Sequence, residues 1–162
     1  MDSNLKARAQ KIKLVIFDVD GVMTDGSLFI GDDGQEYKMF NTQDGLGMRL
    51  LKKSGVKLAI ITGRNSNSVL IRAENLEVDY FYQGISDKKE AFHDLLKKTG
   101  LKPEECVGIE DAISGVKAIK SAHMYAIGIG NPSLLNEADI VFDSVENIDF
   151  EFLEELIGDK NG

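Results

Sequence analysis

"LVIFDVDGVMTDG", residues 14–26, sets four apolar residues in a row, then Asp18 and Asp20 two positions apart, then Gly21. A short, unbroken apolar run closed by a turn reads as a strand buried on both faces, the habit of parallel sheets. Its end is the unusual part, because two carboxylates that repel each other stand at the tip of a buried strand. Working outward, strand-like runs lie at 13–17, 56–62, 78–82, 106–110, 124–130 and 139–143. Helical patterns separate them. One starts at Asp44, with Leu46, Leu50 and Leu51 on a face and Gly55 as its stop. Others lie near 66–76, 88–99, 112–121 and 149–157. Such alternation predicts βαβ units, hence an α/β fold with a doubly wound parallel sheet, as a single domain over 1–162. The one departure is 27–40, where two strand-like segments flank Asp33–Gly34, a turn signal for a β-hairpin inserted after the first strand.

Composition narrows the function. A chain of 162 residues can bury a core of its own. No apolar run approaches the ~20 residues of a membrane-spanning helix, so no membrane partner is expected. The opening "MDSNLKARAQKIK" is charged and lacks an apolar stretch, so it does not read as a signal peptide. Cys106, the single cysteine, cannot form an internal disulfide and sits in an apolar pattern, so it reads as a core residue of a protein in a reducing, cytoplasmic setting. The formal net charge of −8 argues against nucleic acid as a partner. An anionic substrate would need positive charge concentrated at its site.

In open α/β sheets, ligands bind beyond the carboxyl ends of the strands. The first strand ends in Asp18 and Asp20, and the second in Thr62, Gly63 and Arg64. After the third comes "QGISDKK", with Lys88 at a helix start; the run 106–110 ends in Glu110, followed by Asp111. One hydroxyl, one or two cations and up to four acids thus converge on one edge. Metal-assisted phosphoryl transfer needs such a set, and Mg²⁺ takes oxygen ligands, commonly a few carboxylates with phosphate and water. A divalent cation would also offset the clustering of Asp18 and Asp20. Asp18, at the strand tip, is the candidate nucleophile, giving an aspartyl-phosphate. Asp20 is placed to protonate the leaving oxygen and then activate water, and its main-chain carbonyl could ligate the metal. Gly21 permits the sharp turn, Thr62 can bond a phosphate oxygen, and Lys88 can neutralise the phosphoryl group and Asp18.

Each of these residues also has a plainer reading. A single acid at a strand end can be a solvated turn residue, and Thr62 could be a helix cap in "TGRNSNS". Arg49 and Arg72 fall in helical segments and read by themselves as solvated face residues. His93 and His123 lack a ligand-spaced partner, and "SGVKAIKSA" reads mainly as helix packing, with Ser114 at most supporting the site.

Taken together, "DVDGVMTDG", "ITGR", the lysine of "DKKEA" and the "ED" at 110–111 resemble the four signature motifs of the haloacid dehalogenase superfamily. Residues 12–95 resemble 3-deoxy-D-manno-octulosonate 8-phosphate phosphatases, through "DVDGVMTDG", "LFIGDDGQEYKMFN", "TQDGLGMRLL", "AIITGRNS" and "YQGISDK". This resemblance implies a capless enzyme, Mg²⁺ as cofactor, a role in lipopolysaccharide biosynthesis, and a homotetramer in which hairpins associate and neighbours close each other's sites. It implies metal ligation by Asp18, Asp20, Glu110 and Asp111. Substrate contacts would come from Asn41, Thr42, Gln43, Asp44, Gly45, Arg49, Gly63, Arg64, Arg72 and Lys88. Two features depart from that family: Gln43 stands where an arginine is often found, and a glycine-rich tail is absent. The stretch 107–149 is similar instead to β-phosphoglucomutase, where the Glu and Asp of "ED" serve the metal. The chain therefore reads as two branches of the superfamily joined near 95–106, whether a natural mosaic, a reconstructed ancestor or a laboratory chimera.

The expected activity is a Mg²⁺-dependent sugar-phosphate monoesterase working through a phospho-aspartyl intermediate. The alternatives are a phosphotransferase like β-phosphoglucomutase, weakened because no helical insert of adequate length lies between the first strand and Thr62, and a scaffold with weak generic phosphatase activity. The hairpin carries Leu28, Phe29, Ile30, Tyr37, Met39 and Phe40, more apolar surface than one narrow ribbon can hide, which points to a homo-oligomer, a tetramer first of all. The missing tail leads to an expectation of weak selectivity for the sugar.

Overall fold

A computed structural model describes residues 10–148. Six parallel strands form the main sheet: β1 (Leu14–Phe17), β4 (Lys57–Ile61), β5 (Tyr80–Tyr82), β6 (Cys106–Glu110), β7 (Tyr125–Ile129) and β8 (Ile140–Phe142). They lie in the order β5-β4-β1-β6-β7-β8. The chain thus winds outward from β1 to β5 on one side, then returns to build β6, β7 and β8 on the other. The reversal falls at β1, where such sheets open a crevice at their carboxyl edge. The doubly wound α/β expectation is met.

The period of two along β1 divides the core. Leu14 and Ile16 pack with Ala59 and Ile61 against Ala91, Phe92 and Leu95 of α3 (Lys88–Thr99) and Val116 and Ile119 of α4 (Ile113–Ser121). Val15 and Phe17 pack with Leu58 and Ile60 against Met48 of α1 (Thr42–Lys53) and Val69, Ala73 and Leu76 of α2 (Asn67–Asn75). Both faces of the sheet are covered, which is why its strands read as unbroken apolar runs. Each such fully buried aliphatic side chain contributes about 1.5–3 kcal/mol relative to exposure. Cys106 is one of these core residues, and burial pushes its thiol up to about 12.

The helix ends have local causes. Asp87 accepts from Lys89 N at 2.9 Å and starts α3; Gly100, at φ 66, ends it. Asn41 accepts from Gln43 N at 2.7 Å and caps α1, so that helix begins at Thr42 and not at Asp44 as the apolar periodicity suggests. The strand-like run 78–82 is extended only over Tyr80–Tyr82, and single turns of 3₁₀ helix at Pro103–Glu105 and Val145–Asn147 carry no apolar signature. The expected helix at 149–157 lies outside the described residues.

The insert after β1 is the expected hairpin, β2 (Phe29–Ile30) antiparallel to β3 (Glu36–Tyr37), with Gly34 at φ 79 in its turn. Leu28, Phe29, Ile30, Tyr37 and Met39 are exposed. Phe40 differs from them: it turns inward, packs on the α1–α2 side of the core and lies under the Arg72 guanidinium, 5.6 Å from ring centre to Cζ.

Candidate active site

The site starts from register. Phe17 pairs with Ile60 on one side and Ile109 on the other, so the next residue, Asp18, comes level with Ile61 and Glu110. Asp18 N donates to Ile109 O at 3.1 Å, fixing this level. The chain then folds back on itself. Val19 is fully buried, and its carbonyl accepts from Val22, Met23 and Thr24 N at 2.9–3.2 Å. Thr24 Oγ1 accepts from Gly26 N at 3.2 Å, closing the loop. Gly21 sits at φ 85, and a Cβ there would collide with the Asp111 carboxylate. Only glycine lets the Asp20 turn and the β6 end approach this closely.

Three acids meet at the switch point. Asp18, Glu110 and Asp111 each offer an oxygen within 4.8 Å of the others. Lys88, at the start of α3, donates to Asp18 Oδ1 at 2.7 Å and also to Glu110 Oε1. Glu110 Oε2 accepts from Ala112 N at 3.2 Å, so both of its oxygens are engaged. It is 2% exposed, and Gly115 leaves the space in which its carboxylate lies.

Burial raises the Asp18 carboxyl to about 6, with the Glu110 charge adding to the rise and Lys88 opposing it. Asp111 is raised too, first by burial and then by Asp18. Lys88 is held above its ordinary value: burial works to lower it, and the Asp18 and Glu110 charges outweigh that. Three carboxylates against one ammonium leave a shortfall of two positive charges. The donor set is all oxygen, and the elevated carboxyls show an environment that calls for a cation, so a hard divalent ion fits these residues.

Asp20 belongs to a second ionic group. Lys38, just past β3, donates to Asp20 Oδ1 at 2.5 Å and pairs with Glu36 Oε1 at 3.0 Å. Glu36 in turn pairs with Arg64, in the loop after β4. Neither Lys38 nor Glu36 stands out in the sequence. The available signal is two opposite charges, two residues apart, in and just past the second strand of the hairpin among Tyr37, Met39 and Phe40.

The other expected site residues divide. Thr62 is 2% exposed at the end of β4, and its backbone bonds Tyr82 and Ile85 at 3.0 and 3.1 Å. Gly63 and Arg64 are exposed at the same edge. Thr42 is exposed in the first turn of α1. Asn41, Gln43 and Asp44 line a largely apolar groove with Phe17, Met23 and Ile148. Arg72 donates to Asn41 O at 3.0 Å, and a Cβ on Gly45 would meet its guanidinium. Arg49 instead donates to Asn75 O at 3.2 Å, joining α1 to the end of α2. His93 is exposed on α3, and His123 lies just past α4 at φ 60; neither enters the acid cluster.

Asp18 at the central strand tip, Asp20 two residues on, the buried Thr62, Lys88 and the Glu110 and Asp111 carboxylates stand together at one edge of a Rossmann-like sheet, an arrangement suited to phosphoryl transfer. Residues 33–123 match the family described as haloacid dehalogenase-like hydrolase. The chain belongs to the haloacid dehalogenase-like hydrolases and, within them, to the phosphatases. It is 38% identical over 142 residues to the 3-deoxy-D-manno-octulosonate 8-phosphate phosphatase KdsC of Escherichia coli, covering 87% of this chain and 76% of that one. The KdsC of Yersinia pestis is 41% identical over 135 residues, 83% of this chain and 72% of the other. Among solved structures, the 3-deoxy-D-manno-octulosonate 8-phosphate phosphatase of Moraxella catarrhalis, in complex with magnesium ion, phosphate ion and a KDO molecule, superposes with a TM-score of 0.87 at 32% identity. That superposition covers 99% of this chain and 96% of the other. The 142-residue similarity to one family necessarily runs across 95–106, where the sequence reading places its join. Among the described residues no helix is long and apolar enough to cross a membrane.

Proposed function

We propose that the chain is a Mg²⁺-dependent sugar-phosphate monoesterase acting on an 8-phosphate of a 3-deoxy-octulosonate or a close analogue, through a phospho-aspartate on Asp18. The observation that carries this reading is the Asp18–Lys88 pair at 2.7 Å beside the Glu110 and Asp111 carboxylates. The names of the similar proteins support the sugar class.

In the first step an Asp18 oxygen bonds to phosphorus as the ester P–O bond breaks, and the proton on Asp20 passes to the leaving sugar oxygen. In the second, Asp20 takes a proton from water, whose oxygen bonds to phosphorus as the Asp18–phosphorus bond breaks. Lys88 and the Thr62 hydroxyl hold the phosphoryl oxygens, and Lys88 keeps Asp18 ionised and aimed. Asp18, Asp111 and the Asp20 carbonyl would hold the Mg²⁺, with Glu110 beside them. When bound, the ion supplies positive charge to the transferring phosphoryl group.

The exposed hairpin face supports a homotetramer in which the neighbour walls off the leaving-group side. Between β1 and β4 stand only this hairpin and α1, so no insert between these strands covers the phospho-aspartate as a mutase requires. Phosphate release from a panel of sugar phosphates, with and without EDTA, tests the reading. Preferential, chelator-sensitive hydrolysis of the octulosonate ester is expected. Interconversion of glucose phosphates without phosphate release would replace it with the mutase reading, and at most feeble, unselective turnover of every ester with the scaffold reading.

A further inference from the structure

We propose that Lys38 is the positioning residue for Asp20, fixing which carboxylate oxygen faces the leaving group and so joining the hairpin to the acid–base step. This rests on the acid–base role given to Asp20 above.

Lys38 is a charged side chain only 1% exposed, while Asp20 is 27% exposed. A buried ammonium persists in such a place only where carboxylates surround it, and two do: Asp20 at 2.5 Å and Glu36 at 3.0 Å. Burial keeps Lys38 from touching a substrate directly, so any influence on the chemistry passes through Asp20.

The two ionic groups divide the work. Lys88 is shared by Asp18 and Glu110 on the nucleophile side. Without a cation of its own, the Asp20 carboxylate could swing toward Lys88 and the metal cradle, where its carbonyl would already be engaged. Lys38 draws Oδ1 away from that cradle and toward the hairpin. That leaves Oδ2 as the oxygen to carry the proton that is transferred. Glu36 fixes Lys38 from behind and is itself tied to Arg64 after β4, so the hairpin is fastened to the catalytic edge at two points.

Proton donation matters for an alkyl leaving group and little for p-nitrophenolate, which departs as a stable anion. Rapid-quench measurement of Asp18 phosphorylation with Mg²⁺ therefore separates positioning from general damage. Removing the acid outright costs ~10²–10⁴, so Lys38→Met should slow phosphorylation by a sugar phosphate at least about tenfold, and by p-nitrophenyl phosphate less than about threefold. KM should hold, and Lys38→Arg should restore most of the rate. In an Asp20→Asn background, Lys38→Met should add no further loss, because the two act as one unit. Equal losses on both substrates, or an undiminished loss in that background, would overturn the proposal. If Lys38→Met does not fold, Lys38→Gln, similar in length but uncharged, is held to the same criteria. Asp20→Asn is the separate control: loss on both substrates alike would sink the acid role itself, whereas selective loss there without it in the Lys38 variants sinks only the positioning role.

Discussion

Lys88 Nζ lies 2.7 Å from Asp18 Oδ1 and also bonds Glu110, so a single ammonium is divided between the acid at the tip of one strand and the last residue of its neighbour. This makes Lys88 the counter-charge of the cluster as well as the group proposed for the phosphoryl oxygens. Lys88→Met should destabilise the chelated protein by about 3 kcal/mol, the scale for removing one partner of a largely buried pair. Saturating Mg²⁺ should recover part of that. Urea unfolding in EDTA and in Mg²⁺ reads both; equal stability of variant and parent in EDTA would contradict the shared-charge account.

Asp18→Asn should abolish turnover and leave the fold intact. Since burial and the Glu110 charge raise Asp18, a neutral amide relieves repulsion, and the chelated variant should melt no lower than the parent. Phosphate release and a thermal melt check the two halves, and normal turnover would reject a nucleophilic Asp18.

The raised Asp18 carboxyl gives metal binding a pH dependence. Protons and cations compete for it, so Mg²⁺ affinity should climb as pH rises toward about 6 and level off above. The stability of the metal-free fold runs the other way. A carboxyl raised from 3.8 to about 6 contributes stability that is fully present below 3.8 and is lost as pH rises through 6. Calorimetric titration at acidic and neutral pH, with denaturant melts in EDTA across the same range, reads both slopes; a pH-independent affinity would show that Asp18 is not a ligand.

Glu110 and Asp111 should separate under substitution. Both Glu110 oxygens already have partners, Lys88 and Ala112 N, whereas Asp111 is exposed toward the Asp20 turn. Asp111→Asn should weaken Mg²⁺ binding well beyond Glu110→Gln, whose main effect should be on stability. The reverse order in a titration would make Glu110 the direct ligand.

Ile30 and Phe29 stand 68% and 53% exposed on the hairpin. Light scattering of the parent should give a homo-oligomer, and Ile30→Asp should dissociate it. A parent that scatters as a 17.8 kDa monomer would sink the hairpin argument.

The strands and the acid cluster were legible because both depend on local order: unbroken apolar runs, each closed by a polar tip. The expected helix at 88–99 matches α3, whose ends carry local signals, Asp87 and Gly100. α1 was entered two residues late because its start is set by the Asn41 side chain and not by apolar spacing. The pairing of Lys38 with Asp20 could not be read, since it joins positions eighteen apart through a loop whose path no local pattern gives. Arg49 and Phe40 show the same limit: the one bonds a carbonyl on α2 and the other tucks beneath Arg72, both decided by tertiary packing.

The strand order has a consequence for how the protein comes into being. Asp18 is synthesised early, its lysine seventy residues later and its acidic neighbours later still. A nascent chain therefore carries Asp18 well before it carries the Glu110 and Asp111 carboxylates that complete the cluster. Only when β6 docks beside β1, bringing Glu110 and Asp111 to the same edge, does the cradle exist. Held by these carboxylates as proposed, an ion would be captured late, and an ion that binds only the finished fold pulls the chain toward completion by mass action. Magnesium would then stabilise the finished fold as well as serve turnover.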